Sequence, residues 1–195
     1  MVWKVPVVPE FEGPLHGDEK AVLLGCLDHH RARFQHACVG LTAKQLARRA
    51  LPPSNLSLLG LARHLADAER TWFRRRFGGE VVEPHFVTAR RTWFQRRFGG
   101  EELELHYATP RDRDAAFELA EPDGAEHDWA VLLAEQQAAR GVIARLPLEA
   151  EYPTDRYGPV SLRWAVIHMT AEYAGHGGHA DLLRGRIDRK PREHA

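Results

Sequence analysis

Residues 161–188 read SLRWAVIHMTAEYAGHGGHADLLRGRID, and the period within them decides the fold. Leu162, Val166, Met169, Tyr173, His176, Ala180 and Leu183 recur at spacings of three and four, so one face of a long helix is apolar. Ser161 precedes the first of them and is placed to cap the helix. A second pattern runs along the same helix. His168, Glu172 and His176 are four apart, and His179 follows three later. Residues at i and i+4 share a face, so Glu172 and His176 can grip one ion. His168 is one turn further along that line, drifted by about 40° because a turn takes 3.6 residues.

Working outward, a second helix starts at its cap Ser57, and Leu58, Leu61, Leu65, Ala68 and Trp72 form its buried stripe up to Gly78 and Gly79. His64 lies seven residues after Ser57, as His168 lies seven after Ser161. It neighbours the stripe through Leu61 and Ala68 and is expected to face the interior. A single histidine on an apolar face is ordinarily a hydrogen-bonded core imidazole. Several imidazoles and a carboxylate buried together are costly unless something pairs them, and a divalent cation does so. Upstream, Leu23, Leu27, His30, Phe34 and Cys38 mark another helix, with Gly40 as its stop, and a short piece follows before Pro52 and Pro53. Downstream, Trp129, Leu132, Ala139, Val142 and Leu146 mark a further helix closed by Pro147. No strand pattern of comparable length is present. Four long amphipathic helices predict an all-α, four-helix bundle in one domain, approximately residues 18–188.

Between the second and third of these helices the chain repeats itself. Residues 70–90 and 91–111 agree at 14 of 21 positions. The first copy reads as a continuation of the second helix, and the second copy, residues 91–111, as a tandem duplication inserted in a connection. It would supply a loop or a short helix capped by Thr88. The alternative is a lid or a homodimer contact built from Trp93, Phe94 and Phe98. His85 and His106 hold equivalent positions in the two copies and read as loop residues. The arginines Arg74, Arg75 and Arg76 read as a solvated helix face.

Composition narrows the function. The 195 residues are 44% hydrophobic and 28% charged, with a formal net charge of zero. A packed core is within reach. A general nucleic-acid or membrane-surface binder, which needs a basic excess, is not expected. No apolar run approaches a membrane span, and the first 19 residues hold prolines and acids where a signal peptide has its apolar core. The expected location is the cytoplasm. Cys26 and Cys38 are free thiols in this reading and small buried hydrophobes, too far apart along one helix to be bridged.

Taken together, GLTAKQLARRALPPSNLSLLGLARHLADAERTWF at residues 40–73 and the stretch at 161–188 resemble the DinB-like superfamily. More narrowly they resemble an actinobacterial branch of unknown function, related to mycothiol-dependent maleylpyruvate isomerase and thiol transferases. The resemblance implies a bundle holding one divalent metal through His64, Glu172 and His176. It implies an activity that transfers or isomerises a small-molecule substrate, an electrophile, with a low-molecular-weight thiol such as mycothiol. Zinc is the first choice of metal for such ligands, and nickel, iron and manganese also accept them. Relatives often carry glutamine where His179 stands, so His179 is a candidate acid–base residue, a hydrogen-bond partner of a ligand, or a fourth ligand. With a fourth ligand, His168 or His179, the site would be closed and the protein a non-catalytic metal-binding or stress-response protein.

Overall fold

A computed structural model describes residues 2–11, 13–78, 105–109, 112, 114–154 and 158–189. His85, Thr88, Trp93, Phe94 and Phe98, and with them the expected short helix or lid, lie outside the described residues.

Helix α1, Glu19–Cys38, opens on Asp18, whose carboxylate accepts from the Ala21 amide. Gly40 follows it at φ 76°, a left-handed position that favours glycine. The short α2 is Ala43–Leu46. Helix α3, Leu58–Glu69, is capped by Ser57, whose hydroxyl accepts from the Gly60 amide at 3.0 Å. It runs on, as expected, but as a π-helical segment, Arg70–Phe77. After a short α4, Ala115–Glu118, comes α5, Ala125–Arg145. A hairpin of β1, Glu151–Thr154, and β2, Gly158–Ser161, then leads into α6, Leu162–Asp188. Ser161 is both the last strand residue and the cap of α6, accepting from the Trp164 amide. The amides of Leu162 and Arg163, unpaired within the helix, donate to the carbonyls of Ala150 and Leu148. The start of α6 is thus pinned by the hairpin's approach.

The four long helices share one core, with α6 packed along α1 and α3 lodged against α5 and α6. Leu58, Leu61, Leu65, Leu132, Ala139, Leu162, Val166, Met169, Tyr173 and Leu183 are buried in it. Among the described residues no helix is long and apolar enough to cross a membrane.

Several readings from the periodicity need correction. The hairpin was not expected, because Pro153 faces Pro159 across it and neither strand carries a β-rich pattern. Cys26 is exposed, and only Cys38 is buried. On α1, His30 is half-buried and Arg31 takes the core position instead. Arg31 can do so because its guanidinium forks onto Glu69 of α3, Nε to Oε1 at 2.7 Å and Nη2 to Oε2 at 2.6 Å. Both side chains are out of water, at 1% and 0% exposure. On α3 the buried line moves by one residue, since Glu69 and Phe73 are buried while Ala68 and Trp72 are half-buried. The π segment supplies the reason. Its turns are closed by bonds between residues five apart, as from the Gly78 amide to the Phe73 carbonyl at 2.7 Å. Wider turns carry Phe73 into the core and swing Trp72 out toward α6.

Arg74 and Arg76 are packed against neighbours instead of forming a solvated face. Arg70 and Arg76 are buried. Arg70 and Arg74 each reach Glu135 of α5 at 2.8 Å, and Arg76 lies 3.7 Å over the Trp72 ring.

Candidate metal centre

His64 on α3 and Glu172 and His176 on α6 converge. One potential ligand atom from each lies within 4.8 Å of the others. His176 Nε2 stands 3.4 Å from Glu172 Oε2 and His64 Nε2 3.7 Å from the same oxygen. The side chains are 35%, 32% and 19% exposed for His64, Glu172 and His176, so the cluster sits at the rim of the bundle rather than sealed inside it.

His64 and Glu172 are held from behind. Phe117 of α4 stacks on His64 with centroids 5.5 Å apart and planes 28° from parallel. Phe117 can approach only because Gly60 sits one turn before His64, where an added Cβ would meet the Phe117 ring at 2.9 Å. Arg63, the neighbour of His64, ties α4 down by donating to the Leu119 and Ala115 carbonyls. Glu172 is followed by Tyr173, which is fully buried and receives a hydrogen bond from Gln136 at 2.9 Å. That buried tyrosine fixes the rotation of α6 and therefore the direction of Glu172. The imidazoles of His176 and His64 hold the Glu172 carboxyl well below the usual carboxylate range, against the upward push of burial. Glu172 is thus an anion throughout the neutral range.

Two other histidines border the cluster without joining it. His168 Nε2 is 3.7 Å from Glu172 Oε1, the oxygen turned away from His64 and His176. Its ring lies flat on Trp164, 4.9 Å between centroids and 7° between planes, and touches Trp72 at 4.8 Å. Burial lowers its basicity despite the neighbouring Glu172. His179 Nδ1 stands 3.4 Å from His176 Nδ1, on the far side of that imidazole from Glu172. Among the described residues the group able to hold one ion has three members.

His106, expected in a plain loop, is in a loop but engaged. Its Nε2 lies 2.7 Å from Glu135 Oε1, and its amide donates to Asp67 at 2.7 Å. Asp67 also accepts from the amides of Tyr107 and Ala108. The tail of the second repeat copy is therefore fastened to α3 one turn beyond His64.

The family model for mycothiol-S-transferase matches residues 22–89 and 81–189, most of the chain. The chain belongs to the mycothiol-S-transferase family. The two matched stretches overlap at residues 81–89, inside the first repeat copy. No curated protein matches the chain. Membership of a mycothiol-S-transferase family bears out the DinB-like resemblance and the all-α fold expected from it. Sequence reasoning placed His64, Glu172, His176 and His179 in one neighbourhood. It missed Phe117, Asp67 and the aromatic contact of Trp72 with Trp164. The i+4 step from Trp164 to His168 is the sequence signal that points toward that contact.

Proposed function

We propose that this mycothiol-S-transferase family member is a divalent-metal-dependent transferase, joining a low-molecular-weight thiol such as mycothiol to a small electrophile. One observation carries the reading: two imidazoles and an ionised carboxylate from two helices meet within 4.8 Å at a face that water can reach. The donor set fits a borderline cation such as zinc. Ligand bonds of about 2.0–2.2 Å place tetrahedral donors roughly 3.3–3.6 Å apart, so a side-chain adjustment of about an ångström closes the set. Three protein ligands would leave a position for an exogenous molecule.

His64, Glu172 and His176 would hold the ion through Nε2, a carboxylate oxygen and Nε2. A bound divalent ion would lower the pKa of a thiol so that it is a thiolate near neutral pH. The chain's residues do the positioning. With Nε2 of His176 given to the ion, its Nδ1 would carry the proton and would donate to His179 Nδ1, 3.4 Å away, fixing the ring's tautomer and direction. This geometry favours His179 as a hydrogen-bond partner of a ligand over a fourth ligand. Phe117 holds the His64 ring by stacking. The partial exposure supports a transferase over a closed, non-catalytic metal-binding or stress-response site.

The test is metal content and thiol binding on purified protein reloaded with zinc or cobalt. One equivalent of metal is expected for the full chain, with His64→Ala losing most of it. With cobalt, an added thiol should give a sulfur charge-transfer band in the near ultraviolet. Four protein donors to the ion by X-ray absorption, with no such band, would refute the open site.

A further inference from the structure

Trp164, His168, Glu172 and His176 step along α6 at intervals of four residues, so the candidate ligands continue directly into an aromatic line. Eight residues at 1.5 Å each place Trp164 about 12 Å from Glu172, with His168 between them. Trp72 closes the line from the π segment, 5.1 Å from Trp164 and 4.8 Å from His168. The Arg76 guanidinium lies over the Trp72 ring, 3.7 Å from its centroid. Trp164 remains 43% exposed although it is among the largest apolar side chains present. Two features mark this as a built arrangement. A π-helical turn is rare and associated with functional sites, and here it takes Trp72 out of the core stripe and delivers it to His168. The rings also adjoin the polar cluster directly, through His168 Nε2 at 3.7 Å from Glu172.

We infer that Trp72, Trp164 and His168 form a stacking wall for a planar, electron-poor electrophile, whose reactive carbon is thereby held beside the His64–Glu172–His176 centre. The inference rests on the thiol-transferase reading for the reaction, though not for the binding. Indole faces are electron-rich and attract rings or groups of the opposite character. A flat electrophile of that kind satisfies both needs, since electron withdrawal that improves stacking also activates its carbon toward a thiolate. With a nitroaryl halide, the sulfur's electron pair forms the new carbon–sulfur bond. The carbon–halogen bond breaks with its pair leaving on the halide, and the thiol proton passes to solvent.

The experiment separates binding from turnover. The full chain, reloaded with zinc, is titrated by calorimetry with 2,4-dinitroaniline, which is planar, electron-poor and has no leaving group. Wild type should bind it. Trp164→Ala should weaken binding about tenfold while keeping its zinc, and Trp164→Phe should restore most of it. His64→Ala, stripped of metal, should still bind the probe. In turnover, Trp164→Ala should raise KM about tenfold for 1-chloro-2,4-dinitrobenzene, with little change for iodoacetamide or for the thiol. No binding by wild type, equal binding by Trp164→Ala, or a KM effect on the thiol instead of the nitroaryl substrate would each overturn the wall. Failure of every electrophile to react while the probe binds as stated would sink the transferase reading and leave the wall standing.

Discussion

Glu69→Gln tests whether the bundle is locked from behind the candidate site. The carboxylate is fully buried and receives two short bonds from Arg31, itself 1% exposed. The substitution keeps the shape and removes the charge, leaving the Arg31 guanidinium half-orphaned inside the core. Asp28 still holds Arg31 Nη1 at 2.8 Å, but Asp28 is shared with Arg140 at the bundle surface. Removing one partner of a buried ion pair costs about 3–5 kcal/mol, against about 0–1 kcal/mol for an exposed pair. For a chain of this size each kcal/mol lowers Tm by about 2–4 °C, so the expected fall is roughly 6–20 °C. The companion is the double variant Arg31→Met with Glu69→Leu. Asp28 then retains Arg140, and Tyr173 still accepts from Gln136 but loses its bond to the Glu69 carboxylate, a cost of about 1 kcal/mol. Such a replacement should return to within about 1–2 kcal/mol of wild type or exceed it. Urea unfolding followed by circular dichroism measures all three proteins. A single-variant cost below about 1 kcal/mol, or a double variant worse than Glu69→Gln, would refute the assignment of Arg31 to the core.

Three further outcomes follow from the same geometry. His179→Ala should weaken metal binding about 10–100-fold by freeing the His176 ring, and His179→Gln should recover most of that, because an amide oxygen can accept from Nδ1–H; competition with a chromophoric chelator reads both, and loss of metal from the glutamine variant as complete as from His64→Ala would make His179 a ligand. Burial pushes the Glu135 carboxyl up, but His106, Arg70 and Arg74 more than offset it, so its folded value lies below the ordinary 4.5. Its contribution is therefore complete above that pH and is lost as pH falls below it, so the stability gap between wild type and Glu135→Gln should shrink from pH 6 to pH 3, and urea midpoints across that range that keep a constant gap would contradict the pairing. Deleting residues 91–111 should leave a folded protein within roughly 1–2 kcal/mol of the full chain, because His85 and Phe86 then stand before Asp112 where His106 and Tyr107 stood; thermal unfolding of the shortened chain decides it, and failure to fold would show that the second copy supplies core side chains.

The parts of this molecule legible in sequence are those set by local chemistry. Ser57 and Ser161 announce their helices because an N-cap bond spans three residues. Glu172 and His176 could be paired because their separation matches one helical turn. His64 was reachable only by its mirrored distance from a cap and by resemblance, since convergence across helices depends on how α3 and α6 pack. Arg31 was illegible for a sharper reason. Its burial is tolerable only with Glu69, 38 residues away, and a window along α1 sees a charge and assigns it to water. The hairpin could not be seen in two short strands that each carry a proline.

The repeat and the π segment share one cause of concealment. A regular 3.6-residue period puts Trp72 on the stripe of Leu58, Leu61 and Leu65, and only a change of register moves Phe73 into that place. No residue type between Arg70 and Phe77 signals the change. It is stabilised instead by distant partners, Glu135 of α5 for Arg70 and Arg74, and Trp164 and His168 of α6 for Trp72. The head of the first repeat copy supplies these contacts, and the tail of the second supplies His106 to the same Glu135. One complete block is thus assembled from the outer halves of two. The candidate ligands themselves lie outside both copies, on α3 and α6.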